Sequence, residues 1–261
     1  MDIKALFFDI DGTLVSFNSH TIAPSTVEAL TIARQRNIKI FISTGRPFGF
    51  ITNLKAIEHL VDGYITANGA YCFTGETVVS CHPMDNSDVA AIINDAAEND
   101  YPLVVDAERT IVVYNNKPIV HRLYVEGFGV DTLDFGKTLE DIGGERILQI
   151  SPFITVEQET ALASKVRNCT FGRWHPDFAD ITRSNIDKAY GLQEMAGHFG
   201  IDTSQTMAFG DGGNDIPILR MAGIGVAMGN ALDNVKQAAD YITTDVDHDG
   251  ISNALRHFRI I

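Results

Sequence analysis

Short apolar runs without polar alternation recur near both ends of this chain, separated by stretches of helical spacing, and that rhythm admits few folds. In the first third, "IKALFF", "IKIFIS" and "DGYITA" read as strands. "PSTVEALTIARQRN", with Pro24 first and Val27, Leu30 and Ala33 at helical spacing, and "PFGFITNLKAIEHL" read as helices. The last third repeats the alternation: "DKAYGLQEMAGHFG" helix, "TMAFG" strand, "NDIPILRMA" helix, "GIGVAM" strand, "ALDNVKQAA" helix, "DYIT" strand, "GISNALRHF" helix. Strands that are apolar at successive positions must be covered on both faces, which between helices means a parallel sheet. Both ends are expected to build one doubly wound, Rossmann-like α/β sheet.

The middle of the chain reads differently. "DNSDVAAIINDAAEND" has helical spacing, "YPLVVDAERTIVVYNNKPIV" reads as a hairpin, "TLDFGKTLEDIG" as a further helical stretch, and "ERILQIS" and "FADIT" as strands. Paired strands between helices form an α+β module. The expected organisation is a core of residues 1–82 and 182–261 with an insertion over 83–181, entered and left by two linkers. No internal repeat or low-complexity tract interrupts it.

Ligands of open parallel sheets bind beyond the carboxyl ends of the strands. The first strand runs into Asp9, Ile10, Asp11, Gly12 and Thr13, and the second into Ser43, Thr44, Gly45 and Arg46. Lys188 opens a late helix, and "FGDGGND" supplies Asp211, Asn214 and Asp215. These groups suit phosphoryl transfer through a phosphoaspartate: a carboxylate attacks phosphorus and divides one hard displacement into two easier ones. An anion approaching a phosphate dianion needs cancelling charge, which hard Mg²⁺ supplies through oxygen ligands. Lysine, hydroxyls and backbone N–H groups then hold the transferring oxygens. A carboxylate two residues after Asp9 continues along the strand unless the chain coils, and Gly12 permits the coil.

Charge narrows the partners. Acidic residues outnumber basic ones 34 to 20, the formal charge is −14, and no Lys/Arg cluster relieves it. A nucleic-acid or anionic-membrane surface is excluded, and a phosphorylated substrate must meet locally placed positive charge or a metal. Cys72, Cys81 and Cys169 lack CxxC spacing and leave an odd count, which fits buried thiols in a reducing compartment. No apolar run approaches a membrane span, so the expected location is cytoplasmic.

"DIDGTL", "STGRP", Lys188 within "NIDKAYGL", and "GDGGNDIPIL" resemble, in order and spacing, the four motifs of the haloacid dehalogenase superfamily, in its Cof-type subgroup with a type IIB cap. "ITANGA" and "DHDGISNAL" resemble the same subgroup. The likeness covers residues 1–82 and 182–261; the insertion resembles the cap only in size and position. It implies that Asp9 is the nucleophile and a Mg²⁺ ligand, and that Asp11 is general acid and then base, its carbonyl on the metal. Ser43, Thr44, Lys188, Asn214 and the backbone at Ile10 would hold phosphate. Asp211 would bind Mg²⁺ and Asp215 would orient the metal shell, while Arg46 either touches phosphate or braces its loop. Asp180 stands where relatives often carry glutamate. The implied activity is Mg²⁺-dependent hydrolysis of small phosphomonoesters, sugar phosphates first. The alternatives are a phosphosugar mutase, a flavin or pyridoxal phosphate phosphatase, and a phosphorylation switch.

Each motif alone has a plainer reading. A lone DxDG is a cap or turn, and Pro47 suits a first helical turn; agreement among four sites favours chemistry. "DVDHDG" (245–250) imitates a calcium loop, but its twelfth position is Arg256. "GIGVAMG" lacks dinucleotide-binding spacing, and the eight histidines show no metal-site spacing. Trp174 and His175, beside Pro176, either line the substrate pocket or, on the plainer reading, pack in the core of the insertion.

Overall fold

The computed structural model describes residues 2–130 and 132–261. In chain order its elements are β1 (Ala5–Phe8), α1 (Pro24–Gln35), β2 (Lys39–Ser43), β3 (Gly63–Thr66), β4 (Tyr71–Thr74), β5 (Thr77–Cys81), α2 (Asn86–Asn99), β6 (Leu103–Ala107), β7 (Ile111–Tyr114) and α3 (Pro118–Val120). There follow β8 (Ile147–Pro152), α4 (Val156–Ala163), β9 (Cys169–His175), β10 (Phe178–Arg183), α5 (Lys188–His198), β11 (Thr206–Gly210), α6 (Ile216–Met221), β12 (Ile224–Ala227), α7 (Asp233–Lys236), β13 (Tyr241–Ile242) and α8 (Gly250–His257). Two compact units result: one of residues up to Gly45, Asn53–Cys81 and Ile186–Ile261, the other of Arg46–Thr52 and His82–Asn185.

The first unit holds an eight-stranded sheet in the order β13-β12-β11-β1-β2-β3-β4-β5. From β13 to β3 every pairing is parallel. All four residues of β1 are buried. On one face Phe7 and Phe41 stack at 4.8 Å and join Leu192, Met195 and Ala196 of α5 in the core; Phe8 stacks on Phe209 at 4.7 Å. Successive apolar residues are thus needed because both faces are covered. Pro24 starts α1, where its missing N–H costs nothing, and Ala29, Leu30 and Ala33 are buried. The chain leaves β1 toward β2 on one side and returns to β11 on the other, so the order reverses between β1 and β11. That reversal opens a crevice at the carboxyl ends of these two strands.

The second unit is a five-stranded antiparallel sheet in the order β7-β6-β8-β10-β9. Its residues alternate in the way one sheet with two different faces requires. Leu103, Val105, Ile150 and Ile181 pack with Val89, Ile92 and Ala96 of α2 and Leu162 of α4. Val104, Val113 and Phe178 pack instead with Phe50, Val120 and Tyr124.

Several local expectations fail for identifiable reasons. The doubly wound parallel sheet is the expected one, and only its edge departs from that: β4 and β5 extend it with an antiparallel hairpin closed by Gly75 at φ +54°. No helix spans 47–60; two short 3₁₀ turns, Phe48–Phe50 and Glu58–Leu60, stand there. The apolar residues at helical spacing serve two cores: Phe50 is buried in the second unit, whereas Leu54, Ile57 and Leu60 are buried in the first. The chain consequently crosses between the units four times, after 45, 52, 81 and 185, and not by two linkers. The stretch 132–143 is non-helical apart from a 3₁₀ turn at Leu139–Ile142, since Asp134 bonds the Gly136 N–H at 2.9 Å and Thr138 with Asp141 closes a capping box. Cys72 is buried, but Cys81 and Cys169 are only half-buried. Trp174 is 61% exposed, not packed in a core.

Candidate active site

At the reversal point β1 and β11 run side by side, Phe8 opposite Phe209, and the Asp9 N–H donates to the Phe209 carbonyl at 3.1 Å. Beyond it the chain coils back: the N–H groups of Leu14 and Val15 both reach the Ile10 carbonyl, at 3.0 and 2.8 Å, and the Gly12 N–H reaches Val15 O at 2.9 Å. The coil depends on Gly12, whose φ is +76° and whose added Cβ would lie 2.3 Å from Asp211 Oδ2. Gly12→Ala is therefore expected to displace Asp211, with a stability loss of about 1–3 kcal/mol and at least a tenfold fall in kcat. Thermal melts and steady-state kinetics on one preparation would measure both, and unchanged kcat would refute the displacement.

Lys188 reaches the same place from α5. Asp187 caps that helix by accepting the Tyr190 N–H at 2.9 Å. The turn at Gly69, φ +100°, presses so close that a Cβ there would strike the Asp187 carbonyl. Lys188 is fully buried, and its Nζ donates to Asp9 Oδ1 at 2.7 Å and to Asp215 Oδ1 at 2.5 Å. Burial alone disfavours the ammonium, but Asp215 and Asp9 together raise the lysine above its ordinary pKa.

The carboxylates have unequal surroundings. Asp215 is fully engaged, because its second oxygen accepts the N–H groups of Asp211 and Gly212, each at 3.0 Å. Asp211 accepts Thr13 Oγ1–H at 3.2 Å and Asn230 Nδ2–H at 3.3 Å. Burial, then the Asp215 carboxylate, push Asp211 up to about 7 against the opposing effect of Thr13. Burial also drives Asp9 well above the usual carboxylate range, opposed by Lys188 and reinforced by Asp215, Asp11 and Asp211.

Among the described residues, Asp9, Asp211 and Asp215 bring carboxylate oxygens within 4.8 Å of one another, three acids against one ammonium. This donor set fits a hard divalent cation: the ligands are all oxygen, three carboxyl groups face one ammonium, and burial with crowding, without a further cation, pushes Asp9 and Asp211 above the ordinary carboxylate range. Asp215 is committed to the Lys188 ammonium and to two backbone N–H groups at 2.5–3.0 Å, whereas Asp211 is held only by longer side-chain bonds of 3.2 and 3.3 Å; the oxygens of Asp9 and Asp211 are therefore better suited to a metal than those of Asp215. The calcium-like loop is a turn in which Asp245 accepts the Asp247 N–H and contacts His248 Nδ1.

The remaining sequence-predicted residues are placed as follows. Ser43 and Thr44 are buried at the end of β2, and Ser43 Oγ lacks a hydrogen-bond partner. The Thr44 N–H meets Ile65 O at 2.9 Å, and its carbonyl accepts the Asn68 N–H at 3.1 Å. Asn214 is exposed and donates to Asn68 Oδ1 at 3.0 Å. Asp11 is half-buried. Arg46 belongs to the second unit, where its Nη1 donates to the Phe50 carbonyl at 2.9 Å. Three polar residues lacked a predicted role: Thr13, Asn68 and Asn230, the last joining Gly12 O at 2.8 Å to Asp211. The strand-end rule would have reached Asn68 beyond β3 and Asn230 beyond β12 had it been applied to every parallel strand.

The family model for haloacid dehalogenase-like hydrolases matches residues 6–255. The chain is 31% identical, over the whole of both proteins, to the putative phosphatase YkrA of Bacillus subtilis. It is 27% identical, over 96% of its length and 95% of the relative's, to that organism's 5-amino-6-(5-phospho-D-ribitylamino)uracil phosphatase YitU. Among solved structures, the subclass IIB sugar phosphatase BT4131 aligns at a TM-score of 0.92 with 45% identity, covering 99% of this chain and 100% of that one. BT1666 from Bacteroides thetaiotaomicron aligns at 0.88 with 34% identity, covering 99% and 96%.

Proposed function

This chain belongs to the haloacid dehalogenase-like hydrolase family and is a phosphoric monoester hydrolase, and on that premise we propose that it hydrolyses small sugar phosphates in the cytoplasm through a phosphoaspartate on Asp9, with Mg²⁺. The observation that carries the mechanism is the buried Lys188 shared by Asp9 and Asp215 beside Asp211, at the carboxyl ends of β1 and β11.

Asp9 attacks the phosphorus of the ester; as its P–O bond forms, the bond to the ester oxygen breaks and Asp11 gives that oxygen a proton. Asp11 then takes a proton from water, whose oxygen attacks phosphorus and releases the Asp9 carboxylate and inorganic phosphate. Lys188 stays charged throughout and binds the transferring oxygens, with Ser43, Thr44, Asn214 and the backbone at Ile10 as further donors. Asp9, Asp211 and the Asp11 carbonyl would hold Mg²⁺, which when bound supplies the charge that lets an anionic nucleophile approach a dianion. Asp215 fixes the Asp211 backbone through two N–H bonds. The second unit is assigned the selection of the leaving group.

Sugar phosphates are favoured by the 45% identity to a sugar phosphatase over the 27% identity to a ribitylaminouracil phosphatase. Phosphate release should be assayed with Mg²⁺ across hexose and pentose phosphates, flavin mononucleotide and pyridoxal phosphate. Strongest turnover of a hexose or pentose phosphate is expected; silence across the sugars would remove that substrate class. Turnover of a sugar bisphosphate with little free phosphate would indicate a mutase.

The high pKa of Asp211 gives a pH prediction. Its folded value, about 7, lies above an unfolded value near 3.9, so between them the folded state holds more protons. Stability without divalent cation should fall as pH rises from about 4 to 7, by up to about 1.4 kcal/mol per pH unit. Mg²⁺ should flatten the slope. Melts in chelator at pH 5 and 7.5 test the sign, and a higher Tm at pH 7.5 would contradict it.

A further inference from the structure

The five-stranded sheet of the second unit carries polar side chains where a packed face calls for apolar ones. Register sets Asp106 of β6 opposite Gln149 of β8, Val104 opposite Ser151, and Thr182 of β10 opposite Gln149. With two-residue periodicity, Asp106, Gln149, Ser151, Asp180 and Thr182 share one face, while Val105, Ile150 and Ile181 supply the helix-covered core on the other.

Two residues of the row are unsatisfied. Asp106 and Gln149 are 4% and 3% exposed, and Asp106 Oδ2 and Gln149 Oε1 have no hydrogen-bond partner. A buried acceptor left unpaired costs about 1–3 kcal/mol, so folding alone would favour apolar residues of similar shape here. Their neighbour Asp180 is by contrast complete: Oδ1 accepts Ser151 Oγ–H at 2.6 Å and Oδ2 accepts Trp174 Nε1–H at 2.8 Å. That bond, with an edge contact to Phe178 at 4.9 Å, pins the exposed indole of Trp174.

We propose that Asp106 and Gln149, with Trp174, form the subsite that reads the hydroxyl groups of a sugar. The unpaired atoms require a donor, and a neutral hydroxyl, both donor and acceptor, matches them. Burial, followed by the nearby Asp180, holds the Asp106 carboxyl well above its usual range, which also suits a neutral partner better than a cation. A fixed aromatic face offers an apolar surface to the C–H side of a sugar ring. The inference rests on the sugar-phosphatase reading and extends it by naming the groups that recognise the sugar.

The test compares a hexose phosphate with p-nitrophenyl phosphate, whose leaving group bears no hydroxyl, in Asp106→Leu and Gln149→Met. Each variant should lose tenfold or more in kcat/KM on the hexose phosphate, stay within twofold on the aryl ester, and melt no lower than wild type, because an unpaired polar group has been removed. Exposed Trp174→Ala, which carries little folding risk, should raise KM for the hexose phosphate with kcat nearly unchanged. Equal losses on both esters, or unchanged sugar turnover in all three variants, would overturn the subsite while leaving the phosphatase reading intact. Wild-type silence on every sugar phosphate would overturn both.

Discussion

Asp9→Asn is expected to abolish phosphate release, lowering kcat by about six orders of magnitude, the scale seen when a nucleophile is removed. The amide is nearly isosteric, so it can keep a contact to Lys188 through its oxygen while losing the nucleophilic charge. Its effect on the fold has a predictable direction: Asp9 is a buried acid whose ionisation is resisted first by desolvation and then by three other carboxylates. Neutralising it relieves that repulsion, so Tm without metal should hold or rise. The decisive pairing is lost activity with retained Tm. Full phosphate release by Asp9→Asn would sink the phosphoaspartate mechanism.

The second large effect is expected at Lys188, and it should fall on both stability and rate. Lys188→Met leaves Asp9 and Asp215 buried without their cation. Breaking a buried ion pair from one side costs about 3–5 kcal/mol, which in a chain of this size lowers Tm by about 10 °C. Activity should fall at least a hundredfold through lost stabilisation of the transferring phosphoryl group. Added Mg²⁺ should restore part of the Tm by supplying charge to the same acids, but not the rate. A variant that melts and turns over like wild type would show that the lysine is dispensable at this site.

Much of the catalytic unit was legible because its signals are local. Apolar residues at four successive positions in β1 demanded a doubly covered strand, and the parallel-sheet rule pointed to its carboxyl end, where Asp9 stands. Gly12 was readable as the residue that lets the chain turn back, though its clash partner, Asp211, is almost 200 residues away. The segment 47–60 misled because Phe50, Leu54, Ile57 and Leu60 share a helical period but belong to different cores. Periodicity reports that residues are buried, not where. The row from Asp106 to Asp180 was hidden for a related reason: each carboxylate stands among apolar neighbours in its own strand, and only cross-strand register brings them together. Of the two readings for Trp174, a packed core fails: the indole is exposed and bonded through its N–H to Asp180.

The four crossings between the units also bear on how the molecule is assembled. Pairing β1 with β11 closes a loop of about 200 residues, Phe8 to Phe209, and the second unit makes up roughly half of it. Because closure entropy grows only with the logarithm of length, removing that half would change the cost by merely about 0.6 kcal/mol. The inserted unit, with its own sheet and cores, thus adds almost nothing to the thermodynamic burden of the first. Its burden is kinetic: Asp9 leaves the ribosome well over a hundred residues before Lys188 and Asp211 and must wait for them before its neighbourhood exists. A nascent chain can therefore display a folded second unit while still lacking any phosphatase activity.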